Sequence, residues 1–374
     1  MEKQNKTILF VGNTAWSMYN FRINIMRAMI VAGFNVIVAA PEDNSTKELL
    51  KEGIKFIPID IDNKGVSPWK DLQLLLRLKK MYREQKPDLI FHYTIKPNIY
   101  GSIAAGMNKI KSIAFVTGAG SPFIKDTLLT KIVKMLFRYS LRYSDRVWFL
   151  NKEDYQLFVS NKLVGEKKCE ILPGEGIDTT LFQSRNDIRI GNEITFIFLG
   201  RLLWDKGVGE YVQAAEEIRK SFNNVRFLIV GFLDALNPSA ISKRQIDEWV
   251  SEGTIEYLGS TSDVRIFLEN ADCLVLPSYY REGIPRSILE ASSMAKPVIT
   301  TDTPGCRDVI QDGVNGFLCK PRDCKSLLEK MKQIIKMSVG ERNRMGENGR
   351  KIVIKNFDMD IVISKYRELV TNLR

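Results

Sequence analysis

Residues 194–215 read ITFIFLGRLLWDKGVGEYVQAA. The opening six residues are an unbroken apolar run, which suits a parallel strand buried on both faces better than a half-exposed one. A glycine turn carrying two cations follows, and then a helix-favouring segment. This is a complete βα unit, and it begins after a polar stretch without periodicity, GIDTTLFQSRNDIRIGNE (176–193), that reads as a linker. Upstream, TILFVG, NVIVAA, KFIPID, LIFHYT, SIAFVTG, RVWFLN and KCEILPG read as strands, separated by amphipathic stretches such as PWKDLQLLLRLKKMYREQ. Downstream the pattern repeats with NVRFLIVG, TIEYLG, CLVLPS, PVITT and GFLCK. The architecture expected is therefore α/β, with two doubly wound halves facing across a cleft. The expected bounds are residues 1–184, residues 185–354, and a last helix over 355–374 that crosses back to the first half.

Composition agrees with a chain of this kind. At 374 residues there is length for two cores. A hydrophobic share of 44% with 26% charged residues is that of an ordinary globular protein. The start, MEKQNKTILFVGN, has too short an apolar run for a secretory signal, and no stretch of about 18 apolar residues suggests a spanning helix. Five cysteines (Cys169, Cys273, Cys306, Cys319, Cys324) lack CxxC spacing, and His92 is the single histidine. No metal site is expected, and a reducing cytoplasm is the natural setting. The net charge of +11 is uneven: residues 1–184 hold 27 basic against 18 acidic residues, the remainder 28 against 26. Excess base in the first half is what nucleic acid or an anionic membrane surface would call for.

Two segments of the second half carry chemistry. REGIPRSILE (281–290) follows the strand CLVLPS, so Glu282 lies in a βα loop at the strand's carboxyl end. Pro285 suits a first helical turn, and Glu290 lies farther along that helix. Carboxylates there accept hydrogen bonds from sugar hydroxyls, and a helix start attracts phosphate. Solvated surface glutamates are an equally good account of this segment alone. In 194–215, Arg201 follows a strand, and Lys206 and Gly207 precede a helix. Two cations in that place make a diphosphate clamp without a metal, whereas the segment in isolation also fits an ordinary charged turn.

Taken together, GRLLWDKG and REGIPRSILEA resemble the donor-binding signature of the family 4 glycosyltransferases, retaining enzymes with two Rossmann-like domains in the GT-B fold. PGEGIDTTLF (173–182) and KPVITTDTPGCRDVIQDGVNGFL (296–318) extend the resemblance to nearly the whole chain. The first half, with WSMYNFR, HYTIKPNIYGSIAA and FVTGAGSPF, is similar to bacterial enzymes that extend lipid-linked oligosaccharides for capsule, O-antigen or glycoprotein glycans. The resemblance implies that Arg201 and Lys206 hold the donor diphosphate and that Glu282 binds the donor sugar. It also implies that the backbone of Gly283, Ile284 and Pro285 approaches sugar and phosphate, and that Glu290 takes the ribose. The turn at Gly12 and Asn13 would approach the phosphate from the other domain, where relatives have a glycine pair. Some relatives place a histidine in the loop that here carries Thr117 and Gly118. These two residues, with His92 and Lys96 of HYTIKPN, are the acceptor-side candidates; a structural role for His92 is as good a reading. No cofactor is implied beyond a nucleotide sugar, UDP-linked by resemblance, with a polyprenyl-diphosphate saccharide as acceptor.

Lys131, Lys134, Arg138, Arg142 and Arg146 recur at steps of three or four, as one stripe of a helix would require. Such a helix, with RLKKMYREQK (77–86) nearby, seeks an anionic membrane surface, which places the enzyme peripherally on the inner face of the cell membrane. The same spacing fits a domain helix with its charges in water. IDID (Asp60, Asp62) mimics a metal-binding DxD but reads as solvated acids after a strand. A sugar-nucleotide epimerase is the alternative enzyme. Nucleic-acid binding is disfavoured, because the basic stripe lacks interleaved stacking aromatics.

Overall fold

The computed structural model describes residues 6–62, 67–120, 123, 127–184, 193–234, 237–280 and 283–371. The chain forms two compact units, Met1–Glu175 with Met359–Arg374, and Gly176–Asp358.

The first unit is built on seven strands: β1 (Thr7–Val11), β2 (Asn35–Ala40), β3 (Lys55–Pro58), β4 (Leu89–Tyr93), β5 (Lys111–Val116), β6 (Arg146–Phe149) and β7 (Cys169–Ile171). They form one parallel sheet in the order β3-β2-β1-β4-β5-β6-β7. Alternation along each strand sends side chains to opposite faces. Ile8 and Phe10 of β1 join Ile113 and Phe115 of β5 in a core with the helix Ala15–Val31. Leu9 and Val11 face the other way, against the helix Pro68–Gln85, and Ala114 and Val116 meet the helix Leu128–Ser140. Pro68 sits in the first turn of its helix, where its missing N–H has no intrahelical partner to lose. Thr127 and Thr130 form a reciprocal capping box ahead of the other.

The second unit repeats the plan with β8 (Ile194–Leu199), β9 (Val225–Val230), β10 (Glu256–Tyr257), β11 (Cys273–Leu276), β12 (Val298–Thr301) and β13 (Gly316–Cys319). All are parallel, in the order β10-β9-β8-β11-β12-β13. Every residue of β8 is buried, as expected of the central strand in a sheet covered on both faces. Cys273 is enclosed in β11, and burial pushes its thiol far above the ordinary value, so it packs as an apolar group.

The units divide at Glu175 and Asp358, not at 184 and 354. The reason is packing: Ile177 and Phe182 are buried in the core of the second unit, although their surroundings in sequence look like linker. Phe357 belongs to the same core, and Ile177 donates its N–H to the Phe357 carbonyl. Beyond this point Met359–Thr371 is a helix of the first unit, where Val362 and Tyr366 pack in the core that holds Phe91 and Trp148.

Candidate functional site

In a doubly wound sheet, ligands collect where strand order reverses, outside the carboxyl ends of the two central strands. In the second unit that point lies between β8 and β11. Three βα loops meet there and are tied by hydrogen bonds. The loop after β8 is pinned along its length, with Leu202 N–H donating to Phe232 O at 3.1 Å and Trp204 N–H to Ser239 O at 2.8 Å. The loop after β11 joins it through Tyr279 N–H to Asp205 O at 3.0 Å. The loop after β12 completes the set, since the hydroxyls of Thr301 and Thr303 both donate to the Ser278 carbonyl.

Gly207 is what lets the first two loops close. Its φ of 80° lies in the left-handed region, and a Cβ there would sit 2.2 Å from the Pro277 carbonyl oxygen. Lys206, immediately before it, is held in the short helical turn Trp204–Lys206 and is 8% exposed. Its ammonium lies 5.6 Å from the centre of the Tyr280 ring, and the Arg201 guanidinium lies 5.8 Å from the same centre. Arg201 is steadied by Asp234 at 3.7 Å. Two cations thus converge on one aromatic ring at the switch point, a charge arrangement that suits the linked charges of a diphosphate.

The helix Arg286–Ser293 starts directly after Pro285, with Gly283 and Ile284 leading into it. Its buried face is Ile288, Leu289, Ala291 and Ser292, leaving Glu290 beside Arg286, whose Nε donates to it at 2.8 Å. Glu290 is mostly covered, which orients one carboxylate oxygen and leaves the group as an acceptor. Glu282 and Arg281 lie outside the described residues. Among the described residues, no cluster of acids, histidines and cysteines could hold a metal ion.

The switch point of the first unit, between β1 and β4, is arranged otherwise. Gly12 donates to Ala39 O at 3.0 Å, and Thr14 caps the helix that follows. The first amides of that helix already have protein acceptors: Ala15 on Pro41 O, Trp16 on Asp43 Oδ2 at 2.8 Å and Ser17 on Thr14 Oγ1 at 3.1 Å. After β4, Lys96 donates to Asp71 at 2.7 Å, and Tyr100 donates to the other oxygen of that carboxylate at 2.9 Å. His92 is fully buried within β4, with Nε2 2.9 Å from the Tyr82 hydroxyl. Burial pushes its pKa down to about 3, so it is neutral. It is a core residue and faces no acceptor. Gly101 makes the space, because a Cβ there would lie 2.5 Å from the imidazole.

Comparison with known proteins follows this geometry closely. Residues 182–352 match the family described as Glycosyl transferases group 1, and residues 7–151 match Glycosyl transferase 4-like. The chain belongs to the family 4 glycosyltransferases. This glycosyltransferase is 28% identical to the N,N'-diacetylbacillosaminyl-diphospho-undecaprenol alpha-1,3-N-acetylgalactosaminyltransferase of Campylobacter jejuni, over 96% of this chain and 97% of that one. It is 24% identical to the UDP-Gal:alpha-D-GlcNAc-diphosphoundecaprenol alpha-1,3-galactosyltransferase of Escherichia coli, over 91% and 89%. Among solved structures it resembles an Anabaena protein crystallised with UDP-glucose, at a TM-score of 0.79 and 18% identity, covering 98% and 99% of the two chains. The fold is GT-B. Nothing in these matches supports the epimerase or nucleic-acid alternatives.

Within the glycosyltransferase, the structure gathers Arg201, Lys206, Pro285 and Glu290 around neighbouring strand ends of one sheet. Thr117 and Gly118 follow β5, where the next amide, Ala119, is fixed by the buried carboxylate of Asp154 at 3.1 Å. Asp60 is the solvated acid expected, near Arg77, whereas Asp62 is half-buried beside Lys70. The basic stripe needs correction: the helix ends at Ser140, so Arg142 lies beyond it and Arg146 opens β6. Asp145 donates its N–H to Ser112 O and turns the chain into the sheet. Sequence reading passed over Tyr280, although two adjacent tyrosines at a strand's carboxyl end next to REGIP could have drawn notice. It also passed over Arg22, whose guanidinium stacks 4.0 Å from the centre of the Tyr93 ring and bonds Glu175.

Proposed function

We propose that this glycosyltransferase moves a hexose or N-acetylhexosamine, with retention at the anomeric carbon, from a UDP-sugar to a polyprenyl-diphosphate-linked saccharide. The observation that carries the reading is the convergence of Arg201 and Lys206 over Tyr280 at the switch point of the second sheet. As the glycosidic bond breaks, its electron pair moves to the diphosphate oxygen, and charge grows where those two cations stand. Fixed charges that need no rearrangement at that moment supply the largest share of such catalysis. The acceptor hydroxyl attacks from the same face, its oxygen bonds to the anomeric carbon, and its proton passes to the departing phosphate. No enzymic nucleophile takes part.

In this reading Glu282 binds donor hydroxyls, the backbone from Gly283 to Pro285 approaches sugar and phosphate, and Glu290, aligned by Arg286, accepts from the ribose. Gly12 and Asn13 approach the phosphate from the first unit. Lys96, Thr117 and Gly118 remain the acceptor-side residues once His92 is set aside. The names of the Campylobacter and Escherichia relatives, both acting on undecaprenol-linked diphosphates, support the acceptor class. No helix among the described residues is long and apolar enough to cross a membrane; because the acceptor proposed is lipid-linked, we place the enzyme peripherally on the cytoplasmic face. Lys131, Lys134 and Arg138, with Arg142 and Arg146 beyond their helix, then face anionic lipid. Two cations on the diphosphate leave no role that requires a metal, and transfer should continue in excess chelator.

A thermal-shift screen of nucleotide sugars tests the donor class, because a ligand stabilises in proportion to its affinity and concentration. The donor found is then assayed with a short polyprenyl-diphosphate sugar. Glu282→Ala should nearly abolish transfer while leaving the melting temperature unchanged. Failure of every UDP-sugar to stabilise the protein, or full turnover in that variant, would overturn the assignment.

A further inference from the structure

Two helices of the first unit carry apolar side chains on their outer faces. Leu128–Ser140 buries Val133 and Phe137 in the core. Leu128, Ile132, Met135 and Tyr139, at steps of four, three and four, nevertheless form an exposed stripe, with Leu128 75% and Met135 63% accessible. Tyr143 continues it just past the helix, its ring edge-on to Tyr139. Pro68–Gln85 behaves alike: Leu74, Leu78 and Met81 are buried, while Trp69 (69% accessible), Leu72 and Leu76 are exposed along one line. Scattered exposed leucines are ordinary, but apolar stripes on two helices of one face mark an interaction surface.

Both stripes lie on one side of the sheet. Both helices pack against the intervening segment Pro97–Met107, and both lie on the sheet face opposite Ala15–Val31. Each follows its strand, so Trp69 and Leu128 begin at the carboxyl edge of the sheet. Cations flank both lines: Lys131, Lys134 and Arg138 on one helix, and on the other Lys70, Arg77 and Lys80, where Asp62 and Asp60 lie near the first two, so the excess of base is greatest along Leu128–Ser140. No acid occurs from Thr127 to Ser144. On the other helix Asp71 is turned inward to Lys96, leaving Glu84 near Lys80. A second copy of this face would bring like charges together. An anionic bilayer offers acidic headgroups to the cations and acyl chains to the residues between them.

We propose that this two-helix face inserts into an anionic lipid bilayer, with Trp69, Leu72, Leu76, Leu128, Ile132, Met135 and Tyr139 entering the headgroup–acyl boundary. The proposal deepens the lipid-linked acceptor reading and rests on it. It adds apolar insertion to the electrostatic attraction that the basic residues alone supply. Charge attraction is screened by salt, whereas buried apolar area is not. Co-sedimentation with phosphatidylglycerol–phosphatidylcholine vesicles at low and high salt separates the two.

The wild-type enzyme should keep a bound fraction at high salt. Ile132→Ser/Met135→Ser should lower that fraction roughly tenfold or more at an unchanged melting temperature. Lys131→Gln/Lys134→Gln should lose binding mainly at low salt. Lipids brominated along the acyl chain should quench wild-type tryptophan emission, and Trp69→Phe should remove that quenching. Complete loss of wild-type binding in salt, wild-type binding by the serine variant, or unquenched Trp69 would overturn insertion. So would a change in the serine variant's sedimentation without lipid, which would give the face to a second copy. Sugar transfer to a short, water-soluble acceptor is measured in parallel. Activity there without vesicle binding rejects the face alone, and no activity in the wild-type enzyme rejects the transferase reading beneath it.

Discussion

The two sheets share one strand order up to an extra edge strand, and each reverses direction between its first and fourth strands. Their switch points nonetheless differ in chemistry. In the second unit, loops bound to one another hold Arg201 and Lys206 over Tyr280. In the first, the helix amides after β1 are already partnered, and Lys96 is matched by Asp71. Topology sets where a ligand can sit, and side chains decide which place is charged for a phosphate. The same contrast is the reason the proposed donor site lies mainly on one of two similar halves.

The comparison can be broken most directly by exchanging its cations. Lys206→Ala should cost roughly 10²–10³-fold in kcat/KM and remove the donor-induced thermal shift. Lys96→Ala should leave that shift in place, since Lys96 is matched by Asp71 and is proposed for the acceptor side. Equal loss of donor binding in both variants would erase the distinction. The glycines at the two switch points give a smaller contrast. Gly207→Ala forces a side chain into left-handed backbone and against the Pro277 carbonyl, and should cost ~2–3 kcal/mol in denaturant unfolding. Gly12→Ala meets only the movable end of Met18 and should cost under about 1 kcal/mol. If it also spares the donor-induced shift, the approach of Gly12 to the phosphate is refuted.

A further contrast between the units is in pH dependence. His92 has its folded pKa lowered to about 3 from an ordinary 6.5, so the unfolded chain takes up the proton first. Its contribution is intact above pH 6.5 and declines as pH falls toward the folded value, by about 1.4 kcal/mol at about pH 5.5. No histidine lies in the second unit. Acidification should therefore weaken the first unit preferentially, and His92→Gln should flatten its pH dependence. Far-ultraviolet melts of wild type and variant at neutral and mildly acid pH check this.

Much of this was legible in residue order. The strands were, because runs such as ITFIFL and TILFV are apolar throughout, and a fully covered parallel strand requires that. Arg201 and Lys206 were as well, since each lies within a few residues of a strand end or helix start. Other features depended on distant partners. The helix at 128 was read as far as Arg146 because basic spacing continued through Tyr143, Ser144 and Asp145. Contacts to Ser102 and Ser112, far back in the chain, draw that turn into the sheet. His92 was ambiguous because its burial comes from Tyr82 and from the space left at Gly101.

The sequence alone determined the two parallel-sheet units and the place of the cationic βα loop, because apolar runs, glycines and caps act over a few residues. Tertiary structure decided which groups those places keep available. It turned His92 inward, matched Lys96 with Asp71, and set Tyr280 beneath two cations that lie more than seventy residues before it. It also left Trp69 and Leu128 outside while their helical neighbours were buried. Burial and charge pairing depend on what the rest of the chain brings alongside, and local order does not carry that information.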